Sequence, residues 1–194
     1  MAMKWLMIFL ILKGGVSKME NIERSKKILM IIAHRNFRDE ELLVPKKMFE
    51  EHGYKVTVAS TDTSPAKGML GAEVTPDAVV YDVDFNEYDA VVLVGGMGAP
   101  VYWEDTSLHK KLVDFYKNEK KVLAAICLAP VTLAKAGLLK DKKATCWKSA
   151  GEEINKAGGK YTGKDVEVTE RIVTGNGPGA AEKFAREILR LLGE

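Results

Sequence analysis

The chain has 194 residues, 46% hydrophobic and 29% charged, with Lys+Arg 29 against Asp+Glu 27 and a formal net charge of +2. That length suits one domain with a full core and is short for two. The even charge balance, with no basic run interleaved with aromatics, gives no reason to expect a nucleic-acid partner, and two cysteines make neither a disulfide framework nor a clustered zinc site.

In chain order, residues 1–26 read as an N-terminal extension. "MAMKWLMIFLILKGG" carries a lysine and then an apolar run from Trp5 to Leu12, which is too short to span a bilayer. Three readings stay open: a true start at Met19 or nearby, a membrane-associating tail that matters only if residues 1–12 are made and retained, or a signal segment, although no small-x-small cleavage site follows. The domain is expected over 27–194. "KILMIIA" (Lys27–Ala33) is a continuous isoleucine-rich run, the pattern of a strand buried on both faces. "EELLVPKKMFEEHG" then has helical spacing and stops at Gly53.

"YKVTVAS" is a second strand, and "DAVVLVGG" (Asp89–Gly96) a third that ends in a double glycine. "SLHKKLVDFYKNEKK" reads as an amphipathic helix with Leu108, Leu112, Val113, Phe115 and Tyr116 on its apolar side. "VLAAIC" is a fourth strand, followed by a helix over "APVTLAKAGLL". "VEVTERIVTG" reads as a hairpin or two short strands, and "GAAEKFAREILRLLGE" as the closing helix. Strands alternating with helices predict an α/β domain, a parallel sheet with helices on both faces.

Function in such sheets collects at the carboxyl ends of the strands. Three features fall there: the acidic turn "FRDEE", "GGMGAP", and Cys127. "GGMGAP" lacks the lysine and the spacing of a phosphate-binding P-loop. Cys127 stands at the last strand position, and Pro130 sits in the first turn of the next helix, where proline is tolerated. A thiol at a helix N-terminus is expected to favour its reactive thiolate. The Leu128 amide, with a second amide at Gly95 or Gly96, would form an oxyanion hole. The local residues leave open whether Cys127 is such a nucleophile or a small buried packing residue. His34, at the end of the first strand, is placed either at the cavity mouth or on a polar rim. His52 and His109 are expected to be solvated, and Cys146, beside Trp147 on a short strand, to be packing.

"AAICLAP", the preceding "VLVGG", "FRDEELLVP" and "GNGPGAA" occur in order and with matching spacing from about Lys27 to Leu192. Together they resemble the DJ-1/PfpI superfamily, which includes PfpI-type intracellular proteases and a protein deglycase. The resemblance implies a flavodoxin-like three-layer sandwich, no cofactor, a cytoplasmic location, and a homo-oligomer, dimer or hexamer. It also implies site roles. Cys127 falls on the elbow nucleophile, Glu41 on the carboxylic acid that hydrogen-bonds its sulfur, and the Gly96 and Leu128 amides on the oxyanion donors. Trp147 falls where members often carry a histidine or tyrosine over the nucleophile. Gly95, Gly177 and Pro178 fall on loops lining the cavity.

Two departures bear on activity. Leu128 stands where PfpI-type proteases carry histidine, and Val101 stands where their "APE" motif supplies an acid. Without a base beside the cysteine, peptide hydrolysis lacks a proton acceptor for the thiol and a donor for the leaving amine. Addition to an aldehyde expels no amine and needs only a thiolate, an oxyanion hole and one proton carrier. The expected function is therefore a cofactor-free reaction on small carbonyl compounds such as methylglyoxal, or on glycated protein adducts. An intracellular cysteine peptidase and an oxidation sensor or holdase chaperone are the alternatives.

Overall fold

A computed structural model describes residues 26–194, so the expected N-terminal extension lies, Lys26 apart, outside the described residues. In chain order the elements are β1 (Lys27–Ile31), β2 (Arg35–Phe37), α1 (Asp39–Glu51), β3 (Lys55–Ser60), β4 (Ala66–Gly68), β5 (Glu73–Val74), β6 (Ala78–Val79) and β7 (Ala90–Leu93). They continue with α2 (Thr106–Tyr116), β8 (Val122–Ile126), α3 (Pro130–Lys135), β9 (Lys143–Ala144), α4 (Gly151–Lys156), β10 (Lys160–Tyr161), β11 (Val166–Thr169), β12 (Ile172–Gly175) and α5 (Ala181–Leu192).

Seven strands form the central sheet in the order β11-β12-β8-β7-β1-β3-β6. Only the β11–β12 edge pair is antiparallel, the hairpin expected over 166–175. The middle strands β7 and β8 are buried along their whole length, and β1 is buried from Ile28 to Ile31. Burial on both faces is what makes these segments continuous apolar runs rather than alternating ones. Helices α1 and α5 pack on each other and against the sheet, while α2, α3 and α4 form a second packed group. This is the expected α/β sandwich with a mostly parallel sheet. Among the described residues, no helix is long and apolar enough to cross a membrane.

Several boundaries differ from the expected ones for local reasons. The third strand ends at Leu93, because Gly95 and Gly96 leave the ladder and Gly96 adopts φ +104. The helix after Cys127 spans only Pro130–Lys135. Cys146 is on no strand, although it is fully buried as expected. Two small sheets, β2-β4-β5 and β10-β9, had no counterpart in the sequence reading, since strands of two or three residues are too short to show a period.

The small β2-β4-β5 sheet matters to the site. The buried Asp39 carboxylate accepts the Leu70 and Ala72 amides at 2.9 and 2.7 Å. Gly68 permits this approach, for a Cβ there would lie 2.5 Å from Asp39 Oδ2. The start of α1 is thereby tied to the loop that carries Met69 to the cavity described next.

Candidate active site

Cys127 follows β8 directly and holds φ +64, a left-handed conformation that is uncommon for a residue with a side chain. The elbow is clamped from both sides. The Cys127 amide donates to Gly175 O at 2.9 Å, and the Cys127 carbonyl accepts the Trp147 amide at 2.8 Å. A peptide unit is planar and trans, so its N–H points opposite to its C=O. Holding the Cys127 carbonyl on Trp147 therefore aims the Leu128 N–H the other way. The same logic operates one strand over, where Gly95 O accepts the Arg38 amide at 3.0 Å and so aims the Gly96 N–H. Both amides act on the Cys127 sulfur and favour its charged form.

Only glycine fits this frame. A Cβ on Gly96 would lie 2.4 Å from both Arg38 N and Asn36 O, and one on Gly95 would lie 2.4 Å from Cys127 Cβ and 2.5 Å from Glu41 Oε2. Gly96→Ala adds a left-handed penalty to the collision, so it is expected to cost about 2 kcal/mol or more. A thermal melt would then shift down by roughly 4–8 °C for a domain of this size.

Glu41, in the first turn of α1, is completely buried. Its Oε2 accepts the Gly95 amide at 3.0 Å, while Oε1 has no hydrogen-bond partner among the described residues. Burial pushes the carboxyl up to about 7, against lesser lowering effects of the Cys127 thiol and the Gly95 amide. Burial likewise pushes the Cys127 thiol up to about 12, and the neighbouring Glu41 charge adds to the shift while the Gly96 and Leu128 amides oppose it. The helix-terminus argument from sequence predicted the reverse direction for this thiol. It is outweighed because α3 has only six residues and the sulfur lies in a desolvated pocket beside a carboxyl. Cys127 thus rests as the thiol, and Glu41 is the group of the pair that titrates near neutrality.

Cys127 opens into a cavity of about 540 Å³, lined among others by Arg38, Gly96, Leu128, Trp103, Trp147 and Pro178. Gly95 backs the elbow from behind. Gly177 packs flat on the Trp147 ring, where a Cβ would lie 2.8 Å away, and lines a neighbouring depression rather than this one. His34, one of two places considered for it being the cavity mouth, lines a separate depression with Thr61 and Val101, its Nε2 3.3 Å from Ser64 Oγ. The chain's three histidines are His34, His52 and His109, and none lines the Cys127 cavity. His52 is exposed as expected, whereas His109 is half-buried with Nε2 unpartnered among the described residues.

Sequence reasoning missed Arg38, Met69, Met97 and Trp103. Trp103 donates its indole N–H to Leu128 O at 3.0 Å and so braces the residue after the nucleophile. The aromatic pair in "VYW" was the available signal, and that stretch was read only for the acid it lacks.

The sequence model described as the DJ-1/PfpI family matches residues 26–191. A deglycase of Pyrococcus furiosus is 33% identical over 86% of this chain and 99% of its own. A glutathione-independent glyoxalase of Caenorhabditis elegans is 27% identical over 86% of this chain and 89% of its own. The crystal structure of a ThiJ/PfpI domain protein from Brachyspira murdochii superposes with a TM-score of 0.82 at 34% identity, covering 86% of this chain and 95% of that one. An elbow cysteine at positive φ, two amides aimed by their own peptide planes, and a match running from β1 to the last turn of α5 lead to one conclusion: the chain belongs to the DJ-1/PfpI family.

Proposed function

We propose that this protein is a cofactor-free enzyme that uses Cys127 to act on reactive carbonyls, either methylglyoxal or the early adducts it forms with proteins. The observation that carries this reading is the convergence on one sulfur of two directed amides and a buried carboxyl whose pKa is about 7. A general base works best with a pKa near the working pH. The Glu41 carboxylate takes the Sγ proton as sulfur adds to the aldehyde carbon, and the carbonyl oxygen becomes an oxyanion facing the Gly96 and Leu128 amides. Protonated Glu41 then returns the proton, which leaves a neutral hemithioacetal. The names of the deglycase and glyoxalase relatives support the same substrate class.

Peptide hydrolysis is the weaker reading, because no histidine lines the cavity to protonate a leaving amine. Purified protein incubated with methylglyoxal and, separately, with casein separates the two. Loss of methylglyoxal without casein cleavage is the expected result, and the reverse result would establish the peptidase. Turnover of methylglyoxal is also expected to rise with pH through about 7, as Glu41 becomes the base.

A further inference from the structure

Arg38 ends the turn between β2 and α1 and lines the Cys127 cavity. Most of the wall around it is apolar, built from side chains such as Met69, Met97, Trp103 and Trp147. The other charged lining group, Glu153, is paired with Lys156 at 3.0 Å and Lys135 at 3.9 Å. Arg38 is held firmly in place. Its amide is committed to Gly95 O, and its Nε and Nη2 grip the Glu40 carboxylate at 2.8 and 3.0 Å. That fork fixes the guanidinium plane and leaves Nη1 without a partner among the described residues. The guanidinium is also near enough to interact electrostatically with both Cys127 and Glu41.

An oriented cation with a free donor beside a nucleophile has a consequence for substrate choice. A second negative charge brought next to a developing thiolate or oxyanion is repelled, unless a fixed cation offsets it. We propose that Arg38 is a specificity determinant that directs aldehydes bearing a carboxylate next to the reacting carbonyl onto Cys127, with Nη1 donating to that carboxylate. The proposal deepens the carbonyl reading above by naming a substrate class, but the site itself can be read without turnover.

The test uses two alkylating reagents that differ in charge, iodoacetate and iodoacetamide. In each, the Cys127 sulfur displaces iodide. The ratio of their rates at Cys127 cancels any change in thiol reactivity common to both. Arg38→Gln is expected to lower the iodoacetate to iodoacetamide ratio about fivefold, the scale of one partly exposed charge pair. Arg38→Lys is expected to retain most of the ratio. High salt is expected to lower the wild-type ratio by screening but not that of the glutamine variant, where Glu40 has lost its cation. Glyoxylate, which adds reversibly to the thiol as a hemithioacetal, is expected to protect wild-type Cys127 from iodoacetamide at lower concentration than it protects the variant.

Equal ratios in the wild type and Arg38→Gln overturn the proposal. Should the variant fail to fold, a wild-type ratio that does not move with salt overturns it equally. A ratio that moves as expected in a protein that consumes no methylglyoxal leaves the anion site standing and removes the carbonyl reading instead.

Discussion

Cys127→Ser is expected to fold as the wild type does and to lose carbonyl turnover by about 10³-fold or more, the scale at which nucleophile replacements act. The backbone at this elbow is held by groups that the substitution does not touch, namely Gly175 O and the Trp147 amide. Serine fills nearly the same space and meets the same φ of +64, so no new strain arises. The chemistry differs. A hydroxyl is a far weaker nucleophile than sulfur, and a carboxylate with a pKa near 7 cannot draw its proton away effectively. Loss of methylglyoxal followed over time, beside a thermal melt, reads both halves of the expectation. Turnover within tenfold of wild type at an unchanged melting temperature would move the nucleophile elsewhere.

Glu41→Gln is expected to act in two directions at once. It keeps the shape and can still accept the Gly95 amide that now binds Oε2 at 3.0 Å, but it can neither take nor return a proton. Carbonyl turnover should fall by about 10²-fold or more, and the rise of activity through about pH 7 should vanish with it. Stability should move the other way. The folded pKa of about 7 lies above the ordinary 4.5, so between those values the folded protein holds more protons than the unfolded chain. Wild-type stability therefore falls as pH rises from 4.5 to about 7 and stays low above that. Glutamine has no such slope, so the variant's stability relative to the wild type should rise by about 3 kcal/mol between pH 4 and pH 8. Denaturant melts at pH 4 and pH 8 check this; parallel curves for the two proteins would show that burial does not perturb Glu41.

The same variant separates catalysis from oxidation sensing. Removing the Glu41 charge removes one cause of the raised thiol pKa, so peroxide should still oxidise Cys127 to the sulfinate. Mass spectrometry of that residue is run on the preparation used for turnover. A wild-type protein that forms sulfinate cleanly but consumes no methylglyoxal would establish the sensor.

The central sheet was readable from residue order because β1, β7 and β8 are covered on both faces, and a strand so placed must be apolar throughout. The elbow was readable too, since a strand that runs into Cys127 and a proline three residues later has few other ways to turn. Glu41 was named by resemblance alone, because it comes from a different strand-to-helix junction than Cys127; Leu128 and Gly95 or Gly96 were suggested by their places at strand ends, and the resemblance chose Gly96. Tertiary structure alone decided how these groups act. The Gly96 and Leu128 amides owe their aim to hydrogen bonds on the opposite sides of their peptide planes, made by Arg38 and Trp147 across the fold. His34 was carried to another depression because its carbonyl is bonded to Lys67 in the small sheet at 3.0 Å, a pairing too short to leave a period. The sequence by itself determined which side chains are apolar and therefore where the layers lie. The protonation of Cys127 and Glu41 was decided only when packing removed water from both, because desolvation depends on neighbours that the chain order does not reveal.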